Sequence, residues 1–165
     1  MFPSDFFNET QVLINVLSYD GTINPDILGT IGASAALSIS DIPWEGPVAS
    51  VRVGRVNGDL LINPSVEQLL ESDMELILSG SDKSIVMVEG KCEFVSEEDV
   101  LDAIKFGHEE IKKLVEFQHK LVSMHKVVKR EVVLNEENTE LINAIDSLIK
   151  DKVSSFNEAK TKDER

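Results

Sequence analysis

The chain has a single cysteine, Cys92, in 165 residues. A disulfide framework is therefore excluded, and a reducing compartment fits. No apolar run reaches the roughly 20 residues a membrane helix needs. The start, "MFPSDFFNET", has no basic stretch followed by an apolar one, so it does not read as a signal peptide. Basic residues are scarce: 16 against 30 acids, for a formal charge of −14. Before residue 105 they are only Arg52, Arg55, Lys83 and Lys91. A stretch so poor in cations is not built to grip a phosphate backbone by itself. Aromatics are 5% of the residues and are not interleaved with basic ones as a base-stacking platform would be.

What is present is a 42% apolar, 28% charged composition, expected of a soluble globular domain with an appendage. "TQVLINVLSY" (10–19) is β-branched and apolar on both faces, which predicts a buried strand. Asn24 is placed to cap a helix beginning at Pro25, where a missing N–H costs nothing. That helix, "DILGTIGASAALSIS", is apolar nearly all round and rich in small residues, as a closely packed central helix would be. "VASVRVGRV" alternates, and Asn57-Gly58 signals a type I′ hairpin into "DLLIN". "SVEQLLES" is a short helical or irregular connection, followed by the strands "DMELILSG" and "IVMVEG". Together these read as a four-stranded antiparallel meander. Ser96 with Asp99 makes a capping box for a helix over about 97–124, with Val100, Ile104, Ile111, Val115, Gln118 and Val122 as its apolar stripe. A charged connector follows. Asn135 or Asn138 then caps a last helix striped by Leu141, Ile145, Leu148, Ile149, Val153 and Phe156, with no evident partner in the chain. The expected division is 1–125 and 126–165.

Candidate chemistry is sparse. Asp73 and Glu75, two apart in a strand, share one face, with Met74, Leu76 and Leu78 on the other. They read either as part of a divalent-metal site or as a half-solvated strand face. Ile77, next on that face, is apolar, and no third ligand stands nearby, which favours the second reading. The glycines of "GTIGAS" lie inside the helix rather than ahead of it, and Pro25 and Asp26 in its first turn oppose phosphate binding. His108, His119 and His125 are spaced 11 and 6 apart, unlike a helical zinc pair. His108 falls on the apolar face, as a core or interface histidine. Cys92 has no local partner for nucleophilic catalysis. On the residues alone the chain is an α+β domain with a helical extension and no visible active site.

Several strings in order go further: "FPSDFFNETQV", "NPDILGTIGASAALSISDIPWEGPV", "VRVGRVNGDLLINP", "ESDMELILSGS", "IVMVEG" and "AIKFGHEEI". They closely resemble the first RNase PH-like domain of the bacterial polynucleotide phosphorylase family, over residues 1 to about 122. Residues 123–165 resemble, in character, the start of the all-helical linker that follows it. The resemblance implies an RNase PH-like (ribosomal protein S5 domain 2-like) β-α-β-β-β-β-α unit, incomplete at its N-terminus, and so a fragment. It implies a cytoplasmic enzyme that degrades RNA from the 3′ end with phosphate, releasing nucleoside diphosphates, and uses Mg²⁺ or Mn²⁺. The parent is a homotrimer, each chain carrying two RNase PH-like halves around an RNA channel, with no membrane partner. Catalysis belongs to the second half, and the first supports ring and channel.

That comparison also implies which residues are missing. The serines of the phosphate-binding run in the catalytic half fall on Asn24, Pro25 and Asp26. The catalytic acids and lysine fall on Leu69, Glu75 and Ile77. Only one acid survives, so the expectation is no catalytic residue, no resident cofactor and no activity of this chain alone. Two alternatives stay open: a metal site of Asp73 and Glu75 completed by a partner chain, and a free-standing interaction module without RNA turnover.

Overall fold

The computed structural model describes residues 1–133, 138–158 and 161, with side chains described through residue 150 and at 153 and 161. Two compact units divide at Val132/Val133. In the first, helix α1 (Asp26–Ile39) precedes strands β1 (Ala49–Val56) and β2 (Asp59–Ile62), the short helix α2 (Val66–Leu70), strands β3 (Met74–Gly80) and β4 (Ile85–Cys92), and the long helix α3 (Glu97–Ser123). The second holds α4 (Thr139–Glu158).

The sheet is antiparallel throughout, in the order β2-β1-β3-β4. This corrects the meander reading. Asn57 and Gly58 take φ of 52° and 88°, the two left-handed positions a type I′ hairpin requires, so β1 and β2 pair as expected. The chain then crosses through α2 and lays β3 on the other side of β1. Ser65 starts α2 with a full capping box: its hydroxyl accepts from Gln68 N while Gln68 Oε1 accepts from Ser65 N.

Strand alternation sorts the sheet into two faces. Val51, Val53, Met74, Leu76 and Leu78 point to one side and form the core with Ala103, Ile111 and Val115 of α3. Gly107 lets α3 approach closely: a Cβ there would lie 2.4 Å from Leu78 Cδ1. Ser96 caps α3 by accepting from Asp99 N at 3.1 Å. The Asp99 carboxylate takes the Ser96 hydroxyl at 2.7 Å, a variant of the expected reciprocal box. Gln118, fully buried on the α3 stripe, donates to Val48 O at 2.8 Å, and Ser34 of α1 accepts from Val48 N at 2.9 Å. The two helices thus hold the peptide that leads into β1. His108 is half-buried and bonds Ser81 O at 3.0 Å, tying α3 to the β3–β4 turn.

Three local expectations are overturned. Residues 10–19 form no strand; the segment is irregular, and Leu13, Ile14, Val16 and Leu17 are exposed. β-branched residues favour a strand only where a neighbour supplies a ladder, and no strand among the described residues lies beside this one. The cap position of α1 is Pro25, not Asn24, and no side chain caps it; Asp26 Oδ1 instead accepts from Ile27 N at 2.9 Å. Finally, α1 is packed on one side only. Ile27, Ser34, Leu37 and Ser38 are buried against the unit, while Leu28 is 70% exposed.

In the second unit Asn138 Oδ1 accepts from Leu141 N at 3.0 Å, so Asn138 caps α4; Asn135 lies outside the described residues. Leu141, Ile145, Leu148, Ile149 and Val153 are exposed along the helix, and the Phe156 side chain lies outside the described residues. No helix among the described residues is long and apolar enough to cross a membrane.

Candidate functional site

The face of the sheet away from α3 carries Ser50 and Arg52 from β1, Glu75, Ile77 and Ser79 from β3, and Glu89 and Lys91 from β4. Arg52 is only 7% exposed. Its backbone is clamped by Asn63, whose Oδ1 accepts from Arg52 N at 2.9 Å and whose N donates to Arg52 O at 2.7 Å. Asn63 adopts φ 49° to do this just ahead of Pro64, a conformation asparagine tolerates better than most residues.

The guanidinium of Arg52 forks between two acids from distant parts of the chain. Nη1 donates to Glu75 Oε1 and Nη2 to Asp26 Oδ2. Lys91 Nζ approaches the other oxygen of Glu75 at 3.3 Å. Both acids therefore face a fixed cation, and a guanidinium cannot be deprotonated near neutral pH.

A second arginine on β1 takes the other acid of the strand pair. Arg55 Nε and Nη2 donate to the two oxygens of Asp73 at 2.9 and 2.6 Å, a bidentate pair. Its Nη1 lies 2.9 Å from Asp99 Oδ2 in the first turn of α3. The Arg55 hydrogen bonds hold the Asp73 carboxyl below its usual value. For Asp99 the Ser96 hydroxyl lowers it first and Arg55 next. The same carboxylates hold the Arg55 guanidinium above its ordinary value.

The residues singled out in the sequence thus do not converge as one site. Asp73 lies just ahead of β3 and Glu75 within it, but the two belong to different arginines. Among the described residues no group of three or more His, Cys, Asp or Glu side chains is placed to hold a metal ion. Leu69 sits half-buried in α2, where its carbonyl accepts from Ser72 N at 3.3 Å. Ile77 is half-buried on the sheet face, directly across from Arg52. Asn24 and Pro25 lead into α1; Pro25 offers no N–H, and the Asp26 carboxylate is engaged by Arg52. Cys92 ends β4, exposed. Sequence reasoning missed Arg52 and Arg55 as organisers. The available signal was two arginines on a strand whose other residues are small or apolar, with two acids at the start of the strand beside it.

Residues 46–110, from just ahead of β1 into the middle of α3, match the model of the 3′ exoribonuclease family, domain 2. Over almost its whole length the chain is also similar to polyribonucleotide nucleotidyltransferases, another name for polynucleotide phosphorylase. It is 48% identical to that of Heliobacterium modesticaldum over 153 residues, which is 93% of this chain and 22% of that protein. It is 44% identical to that of Syntrophotalea carbinolica over 165 residues, all of this chain and 24% of that protein. The chain thus spans between a fifth and a quarter of the length of these relatives. Among solved structures, rice Rrp46 superposes with a TM-score of 0.53 at 15% identity, covering 59% of this chain and 47% of that one. That likeness concerns the α+β RNase PH-like fold alone.

Proposed function

We propose that the chain serves within a 3′→5′ phosphorolytic exoribonuclease, which converts RNA and phosphate to nucleoside diphosphates in mRNA turnover. In this reading it is a non-catalytic RNase PH-like half that builds the ring and supports the RNA channel. The observation that carries the reading is the fork of Arg52. Where a phosphate-binding run and a catalytic acid would face each other, Asp26 and Glu75 are bridged by a buried guanidinium. An anionic phosphate would meet Asp26 and the proline before it. A divalent cation would have to displace Arg52. Leu69 and Ile77 supply neither carboxylate nor amine.

Under this proposal Mg²⁺ or Mn²⁺ and phosphate belong to a second, catalytic RNase PH-like half, and RNA contacts come through the parent enzyme. The parent is a cytoplasmic homotrimer. The acidic surplus of the chain supports the same division of labour, because it disfavours an independent grip on RNA.

The test is direct. The purified chain is incubated with poly(A), phosphate and Mg²⁺, and nucleoside diphosphates are quantified. None are expected above a no-protein control. Release that depends on phosphate would overturn the non-catalytic assignment.

A further inference from the structure

Helix α1 ends without a cation of its own: its last turn holds no basic residue. Carbonyls at a helix C-terminus lack intrahelical donors, and a positive charge there is favourable. The charge comes instead from Lys129, 89 residues beyond Ser40. Its Nζ donates to Leu37 O at 2.8 Å and to Ser40 O at 2.9 Å. The next residue, Arg130, takes the residue after Ser40. Its backbone N donates to Asp41 O at 2.7 Å and its Nη2 to Asp41 Oδ2 at 2.8 Å. Four hydrogen bonds thus run from two adjacent residues to the end of α1. They fasten residues 126–132, which lead from the C-cap of α3 at Met124 to Val132, the last residue of the first unit. Apolar packing adds little there. Val127 and Val132 are half-buried, Val128 is 83% exposed, and none of them belongs to the hydrophobic core.

We propose that residues 126–132 form a strap that opens and closes on α1 as a unit of its own, with Lys129 as its fastening. When the strap is closed, the point at which the chain leaves the first unit is fixed at the C-terminus of α1. When it opens, the chain leaves from the end of α3 instead, and the sheet and its helices stay folded. The reason is unequal stability. The sheet unit is held by a core of β1, β3 and α3 side chains. The strap is held by hydrogen bonds at a surface where the Arg130 and Asp41 side chains are 53% and 59% exposed. Bonds of that kind replace bonds to water at small net gain, and an exposed ion pair adds little. A segment with few buried apolar contacts opens at a lower free energy than the core beneath it. Lys129 differs from Arg130. It is half-buried, and its ammonium serves two carbonyls at once at the negative end of a helix. Closure therefore depends on it. The other end of α1 is anchored independently, through Asp26 on Arg52, so the strap closes on a helix already in place.

Amide exchange of the full chain, followed by mass spectrometry on its peptides, tests the strap. Rates are referred to the unstructured rate of each sequence. In the wild type, residues 126–132 are expected to exchange more slowly than an unstructured peptide, yet faster than β1, β3 and α3. Lys129→Met keeps an unbranched apolar side chain and removes the charge and its donors. It is expected to speed exchange in the strap about tenfold and to leave the sheet unchanged. Asp41→Ala probes the receiving side without altering the strap itself. It should speed the same residues by less, because Arg130 N keeps Asp41 O as its acceptor. A wild-type strap that exchanges at the unstructured rate, or as slowly as β1, overturns the proposal. So does either variant if its strap exchanges like wild type. Exchange that rises equally in strap and sheet on Lys129→Met also overturns it, since Lys129 would then stabilise the whole unit rather than fasten one segment.

Discussion

Arg52 Nη1 donates to Glu75 Oε1 on the face of the sheet opposite the hydrophobic core, one pleat off the direct cross-strand position. The register explains the diagonal. Arg52 lies across from Ile77, and Glu75 lies across from Gly54, which has no side chain to intervene. The long arginine reaches the gap and still has a second nitrogen for Asp26.

Removing that guanidinium should leave two acids facing each other with one of them largely buried. Arg52→Ala is expected to cost about 1–3 kcal/mol, below the full penalty for breaking a buried pair because Asp26 is half exposed. Glu75→Gln in the same chain should recover part of the loss, since it removes the orphaned charge. Urea midpoints of the single and double variants check this. An equal cost of Arg52→Ala in both backgrounds would mean that the pair is not energetically coupled.

The Arg55 cluster makes an acid-sensitive contact of known sign. Asp73 and Asp99 have carboxyls held below 3.8 in the folded chain. Groups with lowered folded values bind fewer protons folded than unfolded. Their stabilisation is therefore complete above about pH 4 and is lost as pH falls through the lowered values. The variant Asp73→Asn with Asp99→Asn should show a flatter decline of stability below pH 4 than the wild type. Thermal midpoints measured from pH 5 to pH 2.5 test it, and parallel curves would contradict the assignment.

Features set by neighbouring residues were legible in the sequence. The Asn57-Gly58 turn needs two left-handed residues in a row, and few dipeptides supply them. The Ser96 cap and the α3 stripe likewise depend on spacings of three and four. What distance along the chain decides was not legible. Residues 10–19 have the composition of a strand but no ladder beside them, because pairing is a property of a neighbour rather than of the segment. The acid pair could be put on one face from alternation alone, yet its meaning depended on Arg52 and Arg55, 23 and 18 residues away from their acids. Only the β1–β3 register joins them. The similarity to the exoribonuclease family supplied positions to compare, but not the guanidinium that fills them.

Close approach of α3 to the sheet rests on Gly107. A Cβ at that position would meet Leu78 Cδ1 at 2.4 Å, Val53 Cγ2 at 2.9 Å and Val51 Cγ2 at 3.3 Å. Three contacts on two strands cannot all yield by one rotamer change, so the helix must lift. Overpacking of this kind costs about 1–3 kcal/mol, against a helix-propensity gain of about 1 kcal/mol for alanine. Gly107→Ala should therefore lower the thermal midpoint, with a net loss of about 1 kcal/mol. A raised midpoint would show that the interface has slack.

The metal reading of Asp73 and Glu75 leads to the last expectation. Each carboxylate already has a fixed cation: Asp73 is held bidentately by Arg55, and Glu75 by Arg52 with Lys91 beside it. A divalent ion needs several oxygens free to turn towards it. Here it would have to break two arginine contacts, one at each acid, before gaining two ligands. Mn²⁺ titration followed by electron paramagnetic resonance should give the same weak, non-specific binding for the wild type and for Asp73→Asn with Glu75→Gln. A stoichiometric site in the wild type that the double variant loses would restore the metal reading and, with it, a direct part for this chain in the chemistry.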